Sequence, residues 1–515
     1  MNRPIAAGTL SVLALTLGGC PPAAPRAAEP QKFSLLSWGD QGDGNYRNPI
    51  LKADYSDPEV LRAGDDFYLI ASDFHFSTMQ VLHSRDLVNW QYCGKVFDRL
   101  TMSPKYDQMT AYAEGTWAPA MRFHNGEFYI YVCTPNDGLF MFHAKSPTGP
   151  WSDTVTVKAV AGWEDPCPFW DDDGQAYLVH SLRGAGPIIV NRMSADGTQL
   201  LDDGKEVYRG PNAEGPKIQK RHGYYYISLP EGGFQRGGQT MLRSKNIYGP
   251  YERREVLAGT GEHQGGFVEL DNGEAWFIGF KEQYNASAAL GRICYLEPVT
   301  WGADDWPVFG NNTQPVAAWK KPNVGRNYPI QRPATSDEFD ARTLGLQWQW
   351  NHNPVDDHWS LTDRPGFLRL QALPAASLSV ARNTLTQKLW DDQGAIDVKL
   401  DLAGMADGGH AGFAFMTGNR FSRLGAVQQG TQRKIEWDGG QGPEITGNSL
   451  WLRGTYQGID GRFLYSLDGT HFVPAGAAAR MGFASWKGSR PVVYCYGPGG
   501  HVDLDYFHYQ YGPTK

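Results

Sequence analysis

Five times between residues 33 and 318, a Pro or Gly corner is followed by a short apolar strand, a tight turn and a strand rich in Tyr and Phe. The corners are Asp57-Pro58, Ala118-Pro119, Asp165-Pro166, Gly215-Pro216 and Gly265-Gly266. They recur roughly every fifty residues, a period at which one repeat is one small sheet that cannot bury its faces alone. The turns that follow, such as Gly64-Asp65-Asp66, His124-Asn125-Gly126 and Asp271-Asn272-Gly273, carry hairpin residues. The strands after them, FYLIAS at 67–72, FYIYVC at 128–133, QAYLVH at 175–180, YYYISL at 224–229 and AWFIGF at 275–280, are β-branched or aromatic. Convincing amphipathic helices are absent from the sequence. The expected fold is therefore all-β, with a five-bladed β-propeller over 33–318, one four-stranded sheet per repeat. In such a ring the first strand of every blade lines a central channel, and residues beside the corners converge at one end of it.

Beyond Trp306 the pattern breaks. Residues 319–335 fall in a Pro-rich stretch without alternation and read as a linker. From 336 to 515 short alternating strands resume between Gly and Asp turns, as expected of a two-sheet β-sandwich. The start of the chain is different again. Residues 1–20 combine Arg3, a short apolar core and the ending Leu17-Gly18-Gly19-Cys20, which resembles a bacterial lipoprotein signal with Cys20 as the lipidated residue. Residues 21–32 then read as an extended tether. The expectation is an exported protein, lipid-anchored at a bacterial membrane. Five further cysteines are scattered and odd in number, which argues for buried free thiols. The net charge of −8 and the lack of a basic stripe exclude nucleic acid as a natural partner.

Three corners place an acid beside the turn: Asp57, Asp165 and Glu214. Three acids brought from three blades to one channel mouth suit hydrolysis of a glycosidic bond. An inverting enzyme needs one carboxylate to activate water and one protonated carboxyl to donate to the leaving oxygen, standing about 6.5–9.5 Å apart. A third acid close by raises the donor's pKa by like-charge repulsion. Turn chemistry alone also explains Asp-Pro dipeptides.

The stretches Tyr55-Ser56-Asp57-Pro58-Glu59-Val60, Thr116-Trp117-Ala118-Pro119, Glu164-Asp165-Pro166, Ala213-Glu214-Gly215-Pro216-Lys217-Ile218, His263-Gln264-Gly265-Gly266 and Leu290-Gly291-Arg292 resemble, in order, glycoside hydrolase family 43. The resemblance implies Asp57 as general base, Glu214 as general acid and Asp165 as the acid that orients and raises it. It further implies Trp117 as a pocket aromatic, Arg292 as the holder of a sugar hydroxyl, and His263 as a channel histidine that in some relatives lies beside a calcium ion. Phe74 and His75, after the first Tyr/Phe strand, are candidates to shape the pocket for a terminal sugar. Glu231 is expected in a solvated loop, and Asp171-Asp172-Asp173-Gly174 in a hairpin turn.

Asp337-Glu338-Phe339-Asp340, the run Trp348 to Pro354 and Arg364-Pro365-Gly366-Phe367-Leu368 resemble the concanavalin-like sandwich of one branch of that family. That branch implies removal of terminal xylosyl or arabinofuranosyl units from xylan, arabinoxylan or arabinan. The alternatives are an endo-arabinanase or a surface glycan-binding lipoprotein without activity. No cofactor is expected for catalysis. A structural calcium on Asp337, Asp340, Asp503 and Asp505 competes with the plainer reading of solvated turn acids.

Overall fold

The computed structural model describes residues 37–512. The leader that ends at Cys20 and the tether 21–32 lie outside the described residues. Regular structure is almost wholly strand, and the helical pieces among the described residues are four short 3-10 turns.

Five four-stranded antiparallel sheets follow one another along the chain, each with its strands paired in sequence order. Their first strands are Ser56–Ala63, Trp117–His124, Trp163–Trp170, Lys217–Arg221 and Glu262–Glu269. Simple up-and-down pairing follows from the turns. Asn125 and Gly126 both have positive φ (50° and 82°), as do His222 and Gly223 (49° and 77°). That backbone closes a two-residue hairpin whose twist matches its strands. Ser56–Ala63 lies against both Trp117–His124 and Glu262–Glu269, so the succession of sheets closes on itself. Gly266 permits that closure, because a Cβ there would stand 2.4 Å from the Val60 nitrogen. Apolar residues fill the wedges between adjacent sheets, for example Ile70, Val81, Met121 and Ile130 between the first and second. Each fully buried aliphatic side chain contributes about 2 kcal/mol.

The two ends of the circuit are sewn together. Asn45–Arg47 pairs with Ala318–Lys320, Leu51 bridges to Cys294, and Asn48 Nδ2 donates to the Leu296 and Val316 carbonyls at 2.9 and 2.8 Å. Beside this seam Glu297 and Glu262 are 0% and 1% exposed. Burial, then the Glu262 charge, pushes the Glu297 carboxyl well up, and burial raises Glu262 as well. Both carboxyls thus hold a proton more tightly than a free glutamate, and Glu297 also accepts from the Val316 amide at 3.0 Å.

Residues 319–335 are firmly held. Lys321 pairs with Asp40 and Asp86 at 2.5 and 2.7 Å, and the Arg332 guanidinium lies 3.2 Å over the Trp38 ring. Beyond them, two seven-stranded sheets face each other as a β-sandwich. Ile396, Val398, Phe413, Phe415 and Leu452 are buried in its core.

The sandwich packs directly on the ring of sheets. Backbone bonds cross between them, Ser77 N to Trp350 O at 3.0 Å, Asp391 N to Lys52 O at 2.9 Å and Ser489 N to Ala289 O at 2.8 Å. Trp38 stacks on Trp390 at 6.2 Å, and Lys388 pairs with Asp73 at 3.0 Å with both side chains almost fully buried. The five described cysteines are free, four buried and Cys93 half-buried.

The Glu262–Glu297 pair makes stability depend on pH. Unfolded carboxyls of this type titrate near about 4.3. Both folded carboxyls titrate higher, so the native state holds more protons as pH rises past that value, and stability falls towards neutrality. Glu297→Gln keeps an amide donor for Glu262 and removes one titration. The drop in melting temperature between about pH 5 and about pH 8 should shrink markedly in thermal melts of this variant. Parallel curves for the two proteins would show that the pair holds no extra proton.

Candidate active site

The five corners share one backbone feature. Asp57, Ala118, Asp165, Gly215 and Gln264 occupy equivalent places and have φ of 51°, 36°, 58°, 57° and 47°. The fifth kink thus falls on Gln264, one residue ahead of the glycine pair. In four sheets the strand register slips at this point, between Ser56 and Glu59, Trp117 and Ala120, Glu164 and Cys167, and His263 and Gly265. A bulge of this kind re-aims a side chain away from the alternation of the strand. For the four residues that carry a Cβ the left-handed backbone costs about 1 kcal/mol or more each. At Gly215 the neighbouring chain also requires glycine, since a Cβ would lie 2.9 Å from the Gln264 side chain.

Asp57 is fixed at both oxygens. Oδ2 accepts from Ser72 Oγ at 2.6 Å, and Oδ1 from Arg292 Nη1 at 3.0 Å. Asp165 repeats the arrangement two sheets on, with Oδ2 accepting from Ser181 Oγ at 2.9 Å and from the Gly215 amide at 2.7 Å. Ser72 and Ser181 are register partners of Ser56 and Glu164, the residues just before the two aspartates. Their signal is present in the sequence, as a serine closing FYLIAS or following QAYLVH.

Glu164, Asp165 and Glu214 bring carboxylate oxygens within 4.8 Å of one another. Three charges cannot coexist in so small a buried space. Burial and then the Asp165 charge push Glu214 up to about 8 and Glu164 up to about 9. Asp165 is itself raised by burial, an effect opposed by the Gly215 amide. Glu164 therefore belongs to the cluster, where its carboxyl also accepts from the Ala185 amide at 3.3 Å. It is the group of three acids, among the described residues, spaced to hold a cation. Burial and like charge raise all three of its carboxyls.

The other expected site residues divide. Arg292 bonds Asp57 and, through Nε, Glu282 at 3.1 Å. Its Nη2 is buried without a hydrogen-bond partner in the protein. Aromatic rings surround it: Phe234 at 4.4 Å, Phe280 at 4.7 Å and Trp486 at 5.4 Å. His263 lies against Phe234 and Phe280, at 5.5 and 5.0 Å. Burial lowers it to about 4, so its ring is neutral, and Nδ1 donates to the Gly261 carbonyl at 2.9 Å. Trp117 donates its indole N–H to the Ala113 carbonyl at 2.9 Å and meets Phe74 and Trp486 edge-on at 5.9 and 6.3 Å. His75 instead contacts Phe76, Tyr112 and His352, and braces the loop around Ala113, whose amide it accepts at 3.3 Å.

Trp486, Phe483 and Phe234 were not anticipated. Trp486 and Phe483 come from the sandwich domain, more than 190 residues beyond Arg292, and only the tertiary fold brings them here. Glu231 corrects a further expectation. It is buried and bonded to Tyr208, Thr240 and Arg253 rather than solvated in a loop. Asp171 sits in its turn as expected, and also ties Lys220 and Tyr225 of the next sheet.

The four acids considered for calcium are not gathered as a site. Asp503 is held by Arg369 and Arg364, Asp505 by Lys399, and Asp337 by the Trp348 indole and the Phe339 amide. In Asp503, Asp505 and Asp337, cationic and N–H partners take oxygens that a metal would need, and none of the four acids is in the group of acids spaced for a cation among the described residues.

Comparison with known proteins agrees with this geometry. Residues 46–307 match the model for glycosyl hydrolases family 43, and residues 336–510 the beta xylosidase C-terminal concanavalin A-like domain. A protein of Xylanibacter ruminicola is 48% identical over 472 residues, spanning 88% of this chain and 86% of its own length. The beta-xylosidase of Formosa agariphila is 36% identical, spanning 100% of this chain and 99% of its own. The crystal structure of the GH43 protein BlXynB from Bacillus licheniformis superposes with a TM-score of 0.77 at 27% identity, covering 90% of this chain and 99% of that one. With three carboxyls converging from kinked strands and both domains matched, the chain belongs to glycosyl hydrolases family 43 and is a glycoside hydrolase.

Proposed function

We propose that the five sheets are the blades of a five-bladed propeller and that this enzyme removes terminal β-xylosyl units from xylan-derived glycans with inversion. The observation that carries the mechanism is the split among the corner acids. Asp57 receives a hydroxyl and a guanidinium donor, partners for a charged carboxylate, and is the general base that activates water. Glu214, held protonated by burial and the Asp165 charge, is the general acid for the leaving oxygen. Asp165 orients and raises it. The buried Nη2 of Arg292, beside Asp57, is available to hold a sugar hydroxyl, and Trp117, Phe234 and Trp486 form the apolar wall. An aromatic wall closed partly by the second domain favours a pocket for a chain end over an open groove. The similarity to xylosidases favours xylose as the terminal sugar. Residues 1–32 support a lipid-anchored enzyme on a bacterial membrane surface, and Cys20→Ser should move the expressed protein out of the membrane fraction. Retention of that variant in membranes would defeat the lipoprotein reading.

Turnover of nitrophenyl β-xyloside and of xylo-oligosaccharides tests the activity, with nitrophenyl α-L-arabinofuranoside as the competing substrate. Proton NMR of the fresh product should show the inverted anomer. Glu214→Ala should lower kcat on oligosaccharides by about 10²- to 10⁴-fold and retain far more activity on aryl glycosides with good leaving groups, which need little protonation. Asp57→Ala should abolish turnover of both. Equal losses on both substrate classes for Glu214→Ala would remove it as the acid.

The pH profile tests the crowding. Activity needs Glu214 protonated, so kcat/KM should fall as pH rises through about 8. Asp165→Asn removes the nearest charge that raises Glu214 and should move this alkaline limb to lower pH. An unmoved limb would show that Asp165 does not set the acid's titration.

A further inference from the structure

A loop of the sandwich, residues 481–489, reaches the back of the catalytic aspartate by two buried routes. Lys487 Nζ donates to the Ser72 carbonyl, and Ser72 Oγ donates to Asp57 Oδ2 at 2.6 Å. The same hydroxyl accepts the Ala118 amide at 2.6 Å, so its rotamer is fixed between two sheets. The second route runs through Asp54. Its Oδ2 accepts the Gly488 amide at 3.1 Å and faces Lys487 Nζ at 3.5 Å. Its Oδ1 accepts the Arg292 amide at 3.1 Å and Ser56 Oγ at 3.3 Å. Arg292 then donates to Asp57 Oδ1 at 3.0 Å. Both oxygens of Asp57 are thus placed by groups that the sandwich loop holds.

Every member of the two routes is buried: Lys487 is 2% exposed, Asp54 3%, Ser72 0% and Arg292 3%. Water cannot substitute for a lost contact without entering the interface. The loop is itself constrained, because Gly291 and Gly488 pack so closely that a Cβ on Gly291 would lie 2.6 Å from the Gly488 nitrogen. Ser485 and Trp486 have left-handed backbone, φ 55° and 61°. Lys487 touches neither Asp57 nor Glu214, so its effect is indirect.

We infer that Lys487, with Asp54, is a positioning residue through which the sandwich domain sets the orientation of Asp57. This rests on the reading of Asp57 as the general base. The ring of sheets alone supplies Ser72 and Arg292, and the sandwich fixes where they stand. Misplacement of a reacting group by a fraction of its contact distance costs about 10- to 100-fold in rate.

The test uses the full chain. Lys487→Met keeps the stem and removes the ammonium, while Asp54 retains three donors from Gly488, Arg292 and Ser56. Its kcat should fall about 10- to 100-fold with KM little changed, and Lys487→Arg should recover part of the loss. The loss should be equal on substrates with good and poor leaving groups, since it acts on the base and not on the acid. Ser72→Ala, which leaves the domain interface untouched, should give a loss of similar size. In a Ser72→Ala background the further effect of Lys487→Met should be much smaller than in the wild type, because the two share one route. Multiplying losses in the double variant, a loss confined to KM, or an unchanged kcat in Lys487→Met would each overturn the inference while leaving the hydrolase reading intact. Inactivity of the wild type on all the glycosides named above would instead strike the hydrolase reading. If Lys487→Met fails to fold, Ser72→Ala and Asp54→Asn carry the same comparison, and unchanged kcat in both overturns the inference.

Discussion

Like charge in a small buried space governs this molecule's chemistry. Glu164, Asp165 and Glu214 present oxygens within 4.8 Å of one another, the first two buried and Glu214 half-buried. Arg292 and Lys217 ease that crowding only in part, for burial still raises all three carboxyls. Protons relieve the rest. A carboxyl that remains protonated near neutrality is what acid-assisted bond cleavage requires. An ordinary surface glutamate is ionised at that pH. The crowding that makes the cluster costly to fold is also what keeps its carboxyls protonated to higher pH.

Such a cluster persists only on a scaffold that leaves it no room to relax. Four corner residues with a Cβ adopt left-handed backbone, and each is held by neighbours from another strand or sheet. Asp165 takes a hydroxyl from its own sheet and an amide from the next, and Asp57 takes a hydroxyl from its own and a guanidinium from the last. The closed succession of sheets makes this possible, because the first strand of the first sheet lies against those of both the second and the fifth. Local strain is offset by bonds that a single sheet could not make.

Much of this could be read from residues alone, and the boundary of what could be read has a physical cause. The fifty-residue period, the hairpin turns and the corner acids are local patterns, so the succession of sheets and the positions of Asp57, Asp165 and Glu214 were visible. Convergence is not local. Adjacent residues of a strand normally face apart, and the bulge at Asp165 undoes that alternation and brings Glu164 to the same cluster. Which residues of the second domain reach the site, Trp486 and Lys487 among them, is set by tertiary contacts that no local pattern carries. Glu231 was placed in solvent on its Gly-rich surroundings, yet Arg253 and Tyr208 bury it. Asp503 and Asp505 are acids at the ends of the sandwich by sequence, and only the tertiary structure shows that Arg364, Arg369 and Lys399 hold them.

The interface between the domains shows why docking is so exact without being purely apolar. Lys388 and Asp73 form a buried pair, with Arg490 4.0 Å from the same carboxylate and 3.5 Å over the Phe76 ring. Burial lowers Lys388 to about 7, so the surroundings work against its charge even with Asp73 beside it. A buried pair of this kind is a poor source of net stability compared with hydrophobic residues of the same volume. It is a strong determinant of register, since a small slide would leave a charge uncompensated in the interior. An interface built only of Trp38, Trp390 and their neighbours could shift by part of a side chain at little cost. The same shift would withdraw Lys487 from Ser72 and Trp486 from Arg292. Charges in the interface therefore fix the sandwich where its loop can serve the carboxylates, and stability is supplied by the aromatic packing around them.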